Sequence, residues 1–106
     1  RPRVEPSFIR TLVDRMEEVA DDNSIAAMRA LSALLGRRVG PSTGTNFVAM
    51  LRLAREMREA GQQGSILSLL CDSGERYLPT YYDEAWVEAR MGCCNAARDR
   101  VNALLA

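Results

Sequence analysis

The chain has 106 residues, 47% of them hydrophobic, which suits one core and leaves no room for two. Fourteen arginines balance fourteen acidic residues, and no basic cluster is interleaved with aromatics, so nucleic acid is not an expected partner. Neither lysine nor histidine occurs, which removes imidazole bases, histidine metal ligands and Schiff-base amines from the chemistry these residues can perform.

Residues 1–106 are therefore expected to form a single unit. Cys71, Cys93 and Cys94 are an odd set with two members adjacent, which supports neither a disulfide framework nor a zinc site and fits reduced thiols. No apolar stretch approaches the roughly 18 residues of a membrane span and no signal peptide opens the chain, so a cytoplasmic protein without membrane contact is expected.

The first twenty residues admit two readings. Phe8, Leu12, Val13, Met16 and Val19 recur at helical spacing, yet "DRMEEVA" also fits a short strand between turns. The next stretch, "DDNSIAAMRALSALLG", predicts a helix capped by Asp22 or Asn23, with Ile25, Met28, Leu31 and Leu35 on its apolar stripe and Gly36 at its end. A second helix is predicted from Gly44 to Gly61, with Phe47, Met50, Leu51, Ala54 and Met57 on one face and Arg52, Arg55, Glu56 and Glu59 on the other. In "GSILSLLCDSG", Ile66, Leu67, Leu69 and Leu70 are almost continuous, the pattern of a short strand covered on both faces in a parallel sheet. The order helix, Gly-rich joint, helix, buried strand, turn predicts an α/β fold. Tyr77, Tyr81, Tyr82 and Trp86 predict an irregular aromatic segment, and Ala97, Val101, Leu104 and Leu105 a last helical stripe.

Two polar turns could carry function. "GPSTGTN" leads into a helix, where free N–H groups and the helix dipole favour an anion or a polar ring edge. It is not a P-loop, because Thr45 stands where that motif needs lysine, and it lacks the GxGxxG of a dinucleotide site. A plain alternative is that Ser42 or Thr43 caps the helix while Gly44 relieves a tight turn. The second turn, "CDSGERY", follows the predicted strand and so would lie on the ligand edge of the sheet, beside the first turn if Val39 ends a neighbouring strand. Cys71 has no histidine to activate it as a nucleophile. Asp72 and Glu75 suit salt bridges to Arg76 better than acid–base catalysis.

Taken in order, "DDNSIAAMRALSALLGRRVGPSTGTNFVAMLRLA" and "ILSLLCDSGERYLPTYYDEAW" resemble the C-terminal third of the cysteine synthase and cystathionine β-synthase family, pyridoxal-phosphate enzymes of fold type II, and most closely its cysteine desulfhydrase or cysteine synthase-like branch. The likeness runs from about residue 3 to 88 and rests on Gly40, Ser42 and Gly44 followed by Asp72, Ser73, Gly74, Arg76, Tyr77 and Leu78 at the family's separation. It implies a fragment of a parallel-sheet lobe with flanking helices, with a strand at "RMEEV". It also implies pyridoxal 5'-phosphate as cofactor, with Ser42 hydrogen-bonded to the pyridine nitrogen and Cys71 and Asp72 lining the far edge of the ring. The implied reaction is β-elimination or β-replacement on cysteine, O-acetylserine or a related amino acid. The anchoring lysine and phosphate loop of the family lie upstream of the matching segment, so the partners implied are the remainder of the enzyme chain and a second copy in a homodimer, and these residues alone should be inactive. The tail "RMGCCNAARDRVNALLA" matches nothing in the family pattern. A reading of another class is a non-catalytic α/β interaction module that docks a partner through Tyr81, Tyr82 and Trp86; a third is a phosphate binder using the helix start at Gly44.

Overall fold

A computed structural model describes residues 9–92 and 95–106. The predicted positions before Ile9, and Cys93 with Cys94, lie outside that range. The described residues form four α-helices, α1 (Asp21–Leu35), α2 (Pro41–Glu59), α3 (Glu84–Met91) and α4 (Asn95–Leu105), with short 3-10 turns at Arg10–Leu12 and Gly74–Tyr77. The expected α/β parallel-sheet lobe is not there. Among the described residues no strand forms, and the one β contact is an isolated antiparallel bridge between Val39 and Ser73.

Helix α1 lies across α2 and also packs on α4. Its stripe is as predicted at Ile25 and Met28, both fully buried, and it stops at Gly36, whose φ of 70° is a left-handed closure that glycine adopts without strain. Its start differs: Ala20 occupies the cap position, so Asp21 and Asp22 sit in the first turn, where their charges face the positive end of the helix dipole. Helix α2 starts three residues earlier than predicted. Gly40 is its N-cap and Pro41 its first residue, a position where the missing N–H of proline costs nothing. Neither Ser42 nor Thr43 caps it.

Two clusters make the core. Ala26, Ala27, Phe47, Val48, Ala97 and Val101 join α1, α2 and α4, and Ile25, Met28, Val39 and Val87 join α1, the α1–α2 connection and α3. The small side chains of α1 let α2 come close. At Gly44 a Cβ would overlap the carbonyl oxygen of Ser24 and crowd Met28, so this glycine serves helix contact and not a tight turn. Tyr81, Tyr82 and Trp86 pack on the second cluster.

Both predicted strands are extended coil. The Ile66–Leu70 run forms no ladder with any described residue, and Leu67 and Leu69 are 95% and 71% exposed. Its fixed points are side chains of α2: Asn46 donates Nδ2 to Leu69 O at 3.3 Å, and Thr43 Oγ1 accepts from Cys71 N at 2.9 Å. The segment holding "RMEEV" is likewise tied to α2 by side chains. Arg15 makes a two-pronged ion pair with Glu56 at 2.6 and 2.8 Å, which holds the Glu56 carboxyl below its ordinary range, and Arg52 donates to Glu18 O at 2.8 Å. No described helix is long and apolar enough to cross a membrane.

Candidate functional site

The turn that starts α2 carries three hydroxyls, and their surroundings separate them. Thr43 is 2% exposed and its Oγ1 is taken by the Cys71 amide. Thr45 Oγ1 donates to Pro41 O at 3.1 Å, one turn back, and lies 2.7 Å from Ser24 Oγ on α1. Since the single Thr45 proton serves Pro41, Ser24 is the donor in that pair. Both threonines are spent on structure. Ser42 is exposed, and its hydroxyl bonds to no other described residue.

Ser42 opens on a cleft of about 170 Å³ at the N-terminal ends of α1 and α2. Its walls are Pro41, Ile25, Tyr81 and Met91, with the hydroxyls of Ser24, Ser42 and Thr45 and the exposed carboxylate of Asp21 at its edge. Small-molecule sites usually start at roughly 300 Å³, so this volume suits the edge of one planar ring better than a whole ligand. The lining mixes apolar side chains with polar ones, and of its three hydroxyls Ser42 is the one with a proton to offer a ring acceptor.

The other predicted residues lie next to this turn without lining the cleft. Cys71 is exposed; its amide is held by Thr43 and its sulfur is 3.7 Å from Asn46 Nδ2. Asp72 Oδ2 accepts from the Tyr77 hydroxyl at 2.6 Å and lies 3.6 Å from Arg76 Nη1, the predicted ion pair, while Glu75 turns to Arg38 instead. The Tyr77 bond, with Arg76 adding to it, lowers the Asp72 pKa; the same bond raises that of Tyr77. Asp72 also lies over Gly40, where an added Cβ would meet its carboxylate and touch the Tyr77 ring.

The phosphate reading of Gly44 fails on geometry, since that residue is buried one turn inside α2 under α1. The aromatic cluster turns largely inward: the Tyr81 ring meets Trp86 edge-on with centroids 5.3 Å apart, and Arg90 covers the Trp86 face at 4.6 Å. No group of acidic and cysteine side chains that could hold a metal ion exists among the described residues.

Sequence reasoning did not single out Ser24, Tyr81 or Tyr82 as neighbours of the turn. For Ser24 a signal was present, a polar residue one helical turn before Met28 on the buried face of α1.

No family model matches the chain, and no solved structure matches it significantly. Curated relatives do. The chain is 57% identical over 90 residues to L-cysteine desulfhydrase Cds1 of Mycobacterium tuberculosis, a match covering 85% of this chain and 24% of that protein. It is 33% identical over 84 residues to cysteine synthase 2 of Schizosaccharomyces pombe, covering 79% and 20%, and 38% identical over 66 residues to cysteine synthase B of Pseudomonas aeruginosa, covering 62% and 21%. The chain thus spans about a quarter or less of the length of these relatives. On these matches it belongs to the cysteine synthase family of pyridoxal-phosphate-dependent enzymes.

Proposed function

We propose that this chain supplies the pyridine-nitrogen contact, through Ser42, in a pyridoxal-phosphate enzyme that eliminates or replaces the β-substituent of cysteine, O-acetylserine or a related amino acid. The observation that carries the reading is the division among the three hydroxyls: two are committed inside the fold and that of Ser42 is free, on a cleft walled by Pro41, Ile25 and Tyr81.

The cofactor, when bound, supplies an electron sink conjugated to the substrate α-carbon. How strong that sink is depends on the group facing the ring nitrogen. A serine hydroxyl is far too weak an acid to protonate it and can only donate a hydrogen bond, whereas a carboxylate would stabilise the pyridinium. Ser42 would therefore leave the ring a moderate acceptor, which suits departure of a β-substituent better than transamination. Asp21 does not undo this, because it is exposed and water screens its charge. Pro41, Ile25 and Tyr81 would pack against the ring edge. Cys71 and Asp72 support the turn, Cys71 through Thr43 and Asp72 through its packing on Gly40.

The chain holds no lysine, so the amine that anchors the cofactor and moves the α-proton comes from polypeptide beyond these 106 residues, and the fragment alone is inactive. The same polypeptide covers the apolar run at Leu67, Leu69 and Leu70, and a homodimer is the expected assembly. The test is Ser42→Asp in the whole enzyme, with cofactor binding and sulfide release from cysteine both measured. Binding should be retained and turnover should fall at least about tenfold, equivalent to ~1.4 kcal/mol of barrier. Unchanged turnover would refute the nitrogen contact.

A further inference from the structure

We propose that Tyr82 is a positioning residue that aims Ser42 at the cofactor; the inference rests on the reading of Ser42 given above. Val39 is 2% exposed and immediately precedes the Gly40 cap of α2. Its buried backbone groups need partners, and an isolated bridge to Ser73 offers no ladder. The phenol of Tyr82, 43 residues away, meets both of them. It donates to Val39 O at 2.6 Å and accepts from Val39 N at 3.2 Å. Ser32 Oγ on α1 lies 2.6 Å from the phenol oxygen, accepts from the same amide at 3.1 Å and reaches Met28 O at 2.8 Å.

Each hydroxyl has one proton, and the count closes. With the phenol proton on Val39 O, the Ser32 proton serves Met28 O or the phenol, and the Val39 amide is shared between the two oxygens. Tyr82 packs against the cluster of Ile25, Met28, Val39 and Val87, so the phenol is itself anchored to the core. The start of α2 is therefore located by a side chain outside α2. Ser42 sits three residues beyond Val39, in the first turn, and an aiming error of about 0.5 Å is enough to weaken a designed contact. The Ser24–Thr45 pair holds the other side of the same turn at Pro41 O, which leaves Val39 as the end whose position depends on Tyr82.

A double-mutant cycle on the whole enzyme tests this, with equilibrium dialysis of pyridoxal phosphate as the readout and thermal melting measured alongside. Tyr82→Phe and Ser42→Ala should each weaken cofactor binding about tenfold, and the double variant should bind no more weakly than Ser42→Ala alone. The melting point should drop with Tyr82→Phe in both backgrounds. A further tenfold loss of binding from Tyr82→Phe in the Ser42→Ala background would overturn the proposal, since Tyr82 would then act elsewhere. Unchanged binding in Tyr82→Phe would overturn it while leaving the Ser42 contact standing, and unchanged binding in Ser42→Ala would overturn both. Should Tyr82→Phe not fold, Ser32→Ala replaces it. That variant keeps the phenol bond to Val39 O and removes one acceptor of the amide, so a loss of about threefold, absent in the Ser42→Ala background, is expected; equal losses in the two backgrounds, or none, would overturn the proposal.

Discussion

Replacing a mid-helix glycine by alanine ordinarily stabilises a protein by about 1 kcal/mol, and Gly44 in α2 should do the reverse. A Cβ there would overlap the carbonyl oxygen of Ser24 and lie 2.9 Å from both the Cβ and the amide nitrogen of Met28. All three are backbone or backbone-attached atoms of α1, so no rotamer change relieves the contact. The two helices must part, at an overpacking cost of about 1–3 kcal/mol. Parting also stretches the 2.7 Å Ser24–Thr45 hydrogen bond, which contributes about 1 kcal/mol. Set against the propensity gain, Gly44→Ala should destabilise by about 1–3 kcal/mol, a large share of the roughly 5–15 kcal/mol typical of a folded domain. Urea unfolding followed by far-ultraviolet circular dichroism measures it. Ala54→Gly, at an exposed site on the same helix, calibrates the propensity and should cost about 1 kcal/mol. If Gly44→Ala proves as stable as the parent or more so, the close approach of α1 and α2 at this residue is wrong.

Thr43→Val keeps the shape of a buried side chain and removes the acceptor of the Cys71 amide, so it should cost about 1 kcal/mol and speed hydrogen exchange at Cys71; unchanged exchange would show that the tether is not made. Tyr77→Phe should raise the Asp72 pKa toward the ordinary carboxylate value, read by carboxyl chemical shifts across a pH titration. The sign follows from the depressed folded value. Asp72 contributes stability above the unfolded pKa of about 3.9 and loses it as pH falls through its lower folded one. Tyr77, whose folded value is raised, contributes below its unfolded pKa of about 10 and loses that as pH rises through the folded one. An Asp72 titration identical in the two proteins would refute the hydrogen bond. Leu67→Ser at a 95% exposed site should be neutral if nothing covers it; in the whole enzyme, where the remaining polypeptide is proposed to do so, a loss of about 2 kcal/mol in unfolding free energy is expected, and no loss would exclude that covering.

Helices α1, α2 and α4 were readable because their signals are local, whereas α3 begins inside the aromatic stretch that was predicted to be irregular. Ile25, Met28 and Leu31 repeat at the helical period, and Gly36 accepts a left-handed φ that other residues avoid, so the extent of α1 follows from neighbours within a few positions. The family motif was legible for the same reason, since Gly40, Ser42, Gly44 and the Asp72–Leu78 turn are recognised by type and spacing. A strand is different. The Ile66–Leu70 run has the composition of one, but a ladder needs a second backbone about 5 Å away, and within these residues Asn46 and Thr43 side chains hold the segment instead. At "RMEEV" the Arg15–Glu56 and Arg52–Glu18 contacts do likewise, across separations that periodicity cannot see.

The linear order of residues thus established three of the four described helices and the enzyme family they come from, because both depend on side chains a few places apart. Three-dimensional packing assigned the work of each hydroxyl. Ser42, Thr43 and Thr45 look interchangeable in the string, and only the arrival of Ser24 from α1 and of the Cys71 amide from a coil 28 residues away occupies two of them and leaves the third without a partner among the described residues. A hydrogen bond is made by whichever group comes within about 3 Å, and for residues this far apart only the folded chain determines which group that is.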